Sequence, residues 1–409
     1  MESSQVCSEI CRKHLLLHLT SGIGPIRLAA LIAELGDIDR VLAASHRELT
    51  RASGISDVIA ERVIRGRNEI DVDAEIALAA GRGARILCLA DHDYPAALRR
   101  IDDPPTCLYV RGTLEPEDAV ALAIVGARHC SRYGAEQAER FAALLAGAGL
   151  TVVSGLARGI DTAAHRGALD AGGRTLAVLG CGLCHLYPPE AEALAERIVA
   201  RGALISELPM EVAPDSKNFP PRNRIITGLS LGTLVVEAAR RSGALITARL
   251  AAEYNREVFA IPGRIDNVSA EGCNDLIKSG AAKLVTRLED VLLELGDVGA
   301  VLMGVEAKTP AQPSLPFDDS ESNDPTGSPS NQPAAESMAA PARIAKLTPQ
   351  EELTFTQLDS DALTIESICE IVALPPGQIA AALTGLQLKG LIRRVRGDLF
   401  ERAKSNESG

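Results

Sequence analysis

Six short apolar runs between residues 118 and 290 constrain the fold of this 409-residue chain more than any other feature. They are Ala121–Val125, Thr151–Ser154, Thr175–Leu179, Ala203–Ser206, Thr233–Glu237 and Val258–Ile261. Their spacing of roughly 25 to 30 residues leaves room for a helix between successive strands, as βαβ units require. Nearly continuous apolar strands are buried on both faces, so the sequence predicts an α/β fold with a parallel sheet covered by helices.

A helical segment precedes this region. Two stretches each consist of a helical pattern, a glycine-containing turn and a second helical pattern, and their turns are Ser21–Gly24 and Gly54–Ser56. The repeat predicts a helix-hairpin-helix or SAM-like domain over residues 1–80, whose turns can offer backbone N–H groups to phosphates. A helical packing domain without nucleic-acid contact fits the pattern equally well. We expect a connector with one strand, Arg85–Leu89, over residues 81–117.

Two further segments follow the sheet. Within residues 301–345, Ser314–Ala340 holds five acidic residues and no Lys or Arg, which predicts a disordered acidic linker. Residues 346–403 resume a compact pattern of three helices and a strand pair, which predicts a winged helix. Its third helix offers Gln378, Gln387 and Lys389, and its wing is rich in arginine. Contact with DNA and contact with a protein both stay open for this domain.

Charge and composition exclude several classes of protein. The net charge of −12 argues against a basic coat, so any nucleic-acid contact is expected to be local. No apolar run approaches the ~20 residues of a membrane span, and the N-terminus lacks the pattern of a secretory signal. The nine cysteines are scattered and odd in number, as expected for reduced thiols in a cytoplasmic protein. Cys181-Gly-Leu-Cys184-His185 matches a haem-attachment pattern, but its position after a strand favours a turn, and we expect no metal or cofactor.

Four loops lie where ligands bind to such a sheet, beyond the carboxyl ends of the strands and at helix N-termini. They are Gly126–Ser131, Ser154–Asp161, Lys217–Arg224 and Arg240–Gly243, with Thr247 one turn further on. Neither the P-loop motif nor G-x-G-x-x-G occurs there, so ATP and NAD are not expected. We expect His165, on the helix after the second loop, to pack or hydrogen bond rather than to catalyse.

The third loop is positively charged, whereas the chain as a whole is negative. Lys217-Asn218-Phe219-Pro220-Pro221-Arg222-Asn223-Arg224 contains three cations, two amides and one of the six phenylalanines. Cations hold a phosphate backbone and an aromatic face stacks a base, which is the chemistry of single-stranded nucleic-acid binding. The prolines argue against burial of Phe219 in a regular helix or a central strand. A solvated charged face is the alternative for Arg222 and Arg224.

Five segments around these loops resemble one known family, the DNA-processing protein DprA (Smf) family. They are Ile124–Arg128, Val153–Asp161, Asn218–Ile226, Ser242–Arg249 and Val258–Gly263. The resemblance extends from about residue 14 to residue 403. It implies an N-terminal helical domain, an extended Rossmann-like DNA-binding domain over residues 118–300, a linker over 301–345 and a winged helix over 346–403.

The resemblance also implies a function. It indicates a cytoplasmic, non-enzymatic homodimer that binds single-stranded DNA during natural transformation, protects it and helps load the RecA recombinase. Members commonly have Ser where this chain has Ala127, which removes one hydroxyl contact. We expect Phe219 to stack a base, and cations such as Arg128 to neutralise phosphates. By motif position, the nucleic-acid-binding residues are Gly126, Ala127, Arg128, Ser154, Gly155, Arg158, Gly159, Lys217, Asn218, Phe219, Pro220, Arg222, Asn223 and Arg224.

Two other functions remain open. Rossmann-like nucleotide hydrolases of the phosphoribohydrolase type use a G-G-x-G-T-x-x-E motif, and Leu231–Glu237 comes near it. Its leading glycine pair is missing and Glu237 comes one residue late, which turns the carboxylate to the opposite face of a strand. The other alternative is a structural adaptor that acts through the winged helix.

Overall fold

The computed structural model describes residues 6–303, 348–358, 363–372, 374, 376–388, 391–396 and 399–402. Most of the predicted acidic linker, the linker segment 304–345, lies outside the described residues, as does Lys389. Within the described parts of the chain, no helix combines the length and the apolar character that crossing a membrane requires.

The N-terminal part is helical. Apolar faces of these helices pack around fully buried leucines that include Leu17, Leu31 and Leu49. Gly22 and Gly54, in the two predicted turns, have φ angles of 94° and 77°, which glycine adopts without a steric penalty. The helices are α1 (Glu9–Leu19), α2 (Pro25–Leu35), α3 (Ile38–Ala43), α4 (His46–Leu49), α5 (Asp57–Glu69) and α6 (Val72–Gly81).

The centre of the described structure is one nine-stranded sheet, with the order β1-β2-β6-β5-β4-β3-β7-β8-β9. Strands β3 to β9 pair in parallel, whereas β2 pairs antiparallel with both β1 and β6. The predicted parallel sheet is therefore confirmed, and the segment predicted as a connector adds two strands to it. The strands are β1 (Ala84–Cys88), β2 (Cys107–Gly112), β3 (Ala121–Val125), β4 (Thr151–Ser154), β5 (Thr175–Val178), β6 (Ala203–Ser206), β7 (Gly232–Val235), β8 (Glu257–Ala260) and β9 (Lys283–Leu284).

Helices cover both faces of the sheet. Successive side chains of a strand point to opposite faces, and in β3 Ala123 packs into one core cluster while Leu122 and Ile124 pack into the other. The predicted covering of the sheet by helices is confirmed by this two-sided burial. The covering helices are α7 (Arg132–Gly147), α8 (Ile160–Asp170), α9 (Glu192–Arg201), α10 (Phe219–Gly228), α11 (Gly243–Glu253), α12 (Glu271–Lys278), α13 (Leu288–Glu294) and α14 (Gly296–Met303).

The strand order places a crevice at the middle of the sheet. From β3 the chain continues outwards through β4 and β5 to β6, and then crosses back to β7 on the other side of β3. The chain segments that follow β3 and β7 run to opposite faces of the sheet, which leaves a crevice between them. The carboxyl ends of β3 and β7 border this crevice, where α/β sheets bind ligands.

A winged helix follows. It consists of α15 (Pro349–Gln357), α16 (Ile365–Val372), α17 (Pro376–Leu388) and the antiparallel strands β10 (Ile392–Arg396) and β11 (Leu399–Arg402), as predicted. Its third helix, α17, packs against the turn Pro116–Ala119 of the central domain, and Ala381 joins the core cluster that contains Val120. One face of this helix is therefore already occupied within the chain.

Candidate nucleic-acid interface

A cavity of about 280 Å³ lies in the crevice at the carboxyl ends of β3 and β7. Its wall is formed by the loop after β3, the loop after β4 and the first turns of α10 and α11. The predicted residues that line it are Gly126, Arg128, Phe219, Pro220, Arg222 and Asn223. The other predicted residues lie outside its lining.

The segment Lys217–Arg224 is not the loop that the sequence predicts. Ser216–Asn218 forms one 3₁₀ turn, and Phe219 begins α10. Pro220 and Pro221 are tolerated because the first N–H groups of a helix have no partner within it. The same prolines leave the helix start with few N–H donors, so charged side chains carry more of any anion binding here.

Phe219 is half-buried at the mouth of the cavity. The guanidinium carbon of Arg128 lies 4.8 Å from its ring centroid, that of Arg222 lies 5.9 Å away, and the Tyr187 ring centroid lies at 5.7 Å. A Cβ atom at Gly180 would come within 2.8 Å of the ring, so the backbone of this glycine also fixes its position. Phe219 is therefore an aromatic side chain whose position is fixed by its neighbours and whose ring is covered by the Arg128 guanidinium.

Arg128 is exposed on the loop after β3, and within the described residues it has no carboxylate partner. The loop is fixed by its backbone, since Ala127 N–H donates to Glu237 O at 2.7 Å and Ala127 O accepts from Ile160 N–H at 3.2 Å. Gly159 has a φ of 76°, and a Cβ there would lie 2.3 Å from Ala127 O. The shape of the loop thus does not depend on the side chain at position 127.

Arg222 lines the cavity but is buried, with a relative exposure of 5%. Its Nη1 donates to Gly155 O at 2.8 Å and to Val178 O, and a Cβ at Gly155 would lie within 2.7 Å of the guanidinium. Burial lowers the pKa of Arg222 to about 10, and the Asp161 carboxylate opposes this shift. The alternative of a solvated charge is wrong for this residue, because its guanidinium holds the ends of β4 and β5 together.

Arg224 points away from the cavity and is buried. Its Nε lies 3.1 Å from Asp103 Oδ2, and its Nη2 lies 2.5 Å from Glu207 Oε2. Both proposals made for Arg224 from sequence, a phosphate contact and a solvated face, conflict with this position. The guanidinium is committed to two half-buried carboxylates.

Ser154 is also buried, and its hydroxyl donates to Ile124 O at 2.6 Å across the sheet. Gly155 N–H donates to Asp161 Oδ2 at 3.2 Å, so Asp161, in the first turn of α8, holds the preceding loop. Ser154 and Gly155 therefore support the loops around the cavity, and neither presents a free polar group to it.

The remaining predicted residues are exposed or half-buried. Arg158 is exposed and makes a bidentate ion pair with Glu190, at 2.5 and 3.1 Å. Arg158 and Gly159 line a second cavity, of about 150 Å³. Lys217 is exposed, and its Nζ lies 2.9 Å from Asp215 Oδ2. Asn218 and Asn223 are half-buried.

Two residues that the sequence raised as catalytic candidates are engaged elsewhere. Glu237 is 2% exposed, and its carboxylate accepts from Ser131 N–H and from Ser131 Oγ at 2.7 Å, outside the lining of the cavity. His165 is fully buried, with Nδ1 2.7 Å from Thr175 Oγ1. Burial lowers the pKa of His165 to about 3. The expected packing and hydrogen-bonding role of His165 is confirmed.

The site also contains residues that were not among the predicted binding residues. The first turn of α11 lines the cavity with Ser242, Gly243, Ala244, Ile246 and Thr247, and its Ser242 hydroxyl accepts from Ala244 N–H. The sequence did mark this segment as the fourth loop at the edge of the sheet.

Comparisons with known proteins agree with this architecture. Residues 85–296 match the family model described as DNA recombination-mediator protein A, and residues 338–398 match the DprA winged helix domain. The protein Smf of Synechocystis sp. is 34% identical over 389 residues, which are 93% of this chain and 96% of the relative. The DNA processing protein DprA of Streptococcus pneumoniae is 45% identical over 206 residues, 50% of this chain and 72% of the relative.

One solved structure shares this fold, and a second matches about half of the chain. The X-ray structure of Streptococcus pneumoniae DprA is 36% identical with a TM-score of 0.62, and the match covers 69% of this chain and 97% of that one. A Helicobacter pylori DprA structure, described for its single-stranded DNA binding mode, is 29% identical with a TM-score of 0.47, over 52% of this chain and 95% of that one. With the family model over the central domain and a relative matched along nearly its whole length, this chain belongs to the DprA (Smf) family.

Proposed function

We propose that this chain is a DNA-processing protein that binds single-stranded DNA in the cavity between β3 and β7. The observation that carries the proposal is the pair formed by the exposed Arg128 and the anchored Phe219. In the proposed complex Phe219 stacks on a base and Arg128 contacts a phosphate. Neither contact depends on the identity of the base, which suits binding without sequence preference.

Binding requires an exchange of partners at Phe219. Arg128 lies over the ring, in a cation–π contact that is worth about 0.5–1 kcal/mol at an exposed site. A stacked base contributes roughly 1–3 kcal/mol, and the displaced guanidinium gains a charge-assisted hydrogen bond to a phosphate. The exchange is therefore favourable in sum, and Arg128 shields the apolar ring when DNA is absent.

The cationic part of the site is narrow. Lys217 and Arg158 are paired with Asp215 and Glu190, but exposed pairs are worth at most about 1 kcal/mol and can exchange with phosphates. Arg222 and Arg224 act through the protein interior instead. We therefore propose Arg128 as the principal phosphate contact, with Lys217 and Arg158 as secondary ones.

The family supports a wider role. Relatives carry the name DNA processing protein DprA, and on this basis we propose that the chain protects single-stranded DNA during natural transformation, helps load RecA, and acts as a cytoplasmic homodimer. The division into helical, connector, Rossmann-like, linker and winged-helix segments at 1–80, 81–117, 118–300, 301–345 and 346–403 is part of the same proposal.

A binding role fits the site better than nucleotide hydrolysis. The carboxylate of Glu237, the residue on which hydrolysis would depend, is held by Ser131 and lies outside the cavity lining. A discriminating experiment incubates the protein with nucleoside monophosphates and, separately, challenges a protein-bound oligo-dT with a nuclease. We expect no release of free base and protection of the oligonucleotide, whereas base release that Glu237→Ala abolishes would favour the hydrolase.

A further inference from the structure

Two of the arginine–aromatic pairs among the described residues border a cavity. The first pair is Arg128 and Phe219, which both line the cavity between β3 and β7. The second pair is Arg158 and Tyr187, in which the guanidinium carbon lies 5.6 Å from the ring centroid and Nη1 donates to the Tyr187 hydroxyl at 3.4 Å. Arg158 lines the second cavity, of about 150 Å³. The combination of a cation and a stacking surface is therefore repeated beside the first cavity.

Tyr187 lies between the two cavities. It is half-buried, and its ring centroid lies 5.7 Å from that of Phe219, with an angle of 56° between the ring planes. The loop after β4 borders both cavities as well, since Ala157 lines the first one and Arg158 and Gly159 line the second. A DNA strand that passes from Phe219 to Tyr187 therefore arrives beside the second cavity.

The second cavity contains more positive than negative charge. Arg158 and Arg166 line it together with a single carboxylate, that of Glu190. Arg166 is exposed, and no carboxylate of the described residues pairs with it. Arg158 pairs with Glu190, but their side chains are 47% and 58% exposed, so water weakens this pair and a phosphate can replace the carboxylate. The apolar side chains of the lining are Pro188, Ala191 and Leu194. A phosphate with the sugar or base next to it matches such a lining.

We propose that the second cavity binds the nucleotide next to the one held at Phe219, with its base on Tyr187 and its phosphate at Arg158 and Arg166. The inference rests on the proposed binding of single-stranded DNA in the first cavity and adds a second subsite to it. Tyr187 exchanges the Arg158 guanidinium for a base, as Phe219 exchanges that of Arg128. The displaced Arg158 guanidinium gains a charge-assisted hydrogen bond to the phosphate.

The tilt between the two rings makes this path selective for single strands. Bases that stack on rings inclined by 56° cannot be parallel to each other. A single strand can bend between the two subsites, whereas a duplex would first have to unstack and unpair the two bases, which costs free energy. The second subsite therefore favours single-stranded over double-stranded DNA.

Photochemical cross-linking to the full chain tests the second subsite. The probe is oligo-dT in which 5-iododeoxyuridine replaces one thymidine, and mass spectrometry identifies the cross-linked residues. We expect cross-links at both Phe219 and Tyr187. Cross-linking at Phe219 without any at Tyr187 would overturn the second subsite and leave the proposed function intact, whereas its absence at both residues would overturn both proposals.

Arg166 provides a second test, because its replacement leaves the packing of the two rings unchanged. Arg166→Gln should make the slope of log K against log [salt] for oligo-dT shallower by about 0.7, while cross-linking at Phe219 persists. Arg140→Gln is the matched control, since Arg140 is exposed on the adjacent helix α7 and lines neither cavity. The second subsite is wrong if Arg166→Gln leaves the slope unchanged or if the control changes it equally.

Discussion

The guanidinium carbon of Arg128 lies 4.8 Å from the ring centroid of Phe219, so the loop after β3 and the start of α10 meet over an aromatic face. This contact joins the two chemical groups that binding of single-stranded DNA requires, a cation and a stacking surface.

Replacement of Phe219 separates stacking from simple packing. Phe219→Leu keeps an apolar side chain near Gly180 and Tyr187 but removes the aromatic face, so affinity for oligo-dT should fall by roughly 1–3 kcal/mol, which is about 5-fold to 150-fold. Phe219→Tyr keeps the ring and should bind nearly as the wild type does. Fluorescence anisotropy with a labelled oligonucleotide measures both. Equal affinities for Leu and Tyr variants would exclude a stacking role.

Arg128 should contribute to the salt dependence of binding. Arg128→Gln removes one phosphate contact, so the slope of log K against log [salt] should become shallower by about 0.7, the value per phosphate for single strands. Arg132→Gln is the matched control, because Arg132 is exposed on the neighbouring helix turn and paired with Glu136. An unchanged slope for Arg128→Gln, or an equal change in the control, contradicts the proposed contact.

Arg224 should contribute to the stability of the fold rather than to phosphate binding at the cavity. Arg224→Gln leaves the half-buried Asp103 and Glu207 without their cation, so we expect a loss of up to about 3 kcal/mol of unfolding free energy, the lower limit for a fully buried ion pair. Urea denaturation measures this. Arg197→Gln, which removes an exposed partner of Asp170, should cost less than about 1 kcal/mol. A folded Arg224→Gln protein of normal stability but shallower salt slope would restore the phosphate role.

His165 should make stability sensitive to acid. The folded protein lowers the pKa of His165 to about 3 by burial, from a usual value of 6.5. The unfolded chain therefore binds the proton more tightly, so this histidine destabilises the fold progressively as the pH falls from 6.5 towards 3 and has no such effect above 6.5. Desolvation lowers the pKa of the half-buried His18 to about 4, so His18 acts in the same direction.

Urea midpoints between pH 7 and pH 4 measure this effect. His165→Gln can retain a hydrogen bond to Thr175 and should flatten the dependence, whereas replacement of the exposed His129 should not. An equally steep loss of stability in His165→Gln would show that other groups dominate.

The sheet could be predicted from sequence because each strand is itself a recognisable apolar run. Runs such as Ala121–Val125 are buried on both faces, so their hydrophobicity is continuous, and the structure places β3 on those same residues. The sequence predicts a loop where α10 begins, because Pro220 and Pro221 are compatible with both a loop and a first helical turn. The sequence pattern alone does not separate these two conformations.

The roles of the arginines could not be predicted, because their partners lie far away in sequence. The residues next to Arg222 and Arg224 in sequence are those expected for an exposed cationic patch. Their burial follows from acceptors on other segments, such as Val178 O and Glu207, which only the assembled sheet brings near.

The most direct test of the central proposal compares single- and double-stranded DNA of the same length in a salt titration. The cavity is a narrow crevice with one aromatic face and few free cations, so we expect clear preference for oligo-dT over the duplex, a shallow salt dependence, and loss of the preference in Phe219→Leu. Equal affinity for both forms, or a preference that survives in Phe219→Leu, would contradict the assignment of single-stranded DNA binding to this cavity.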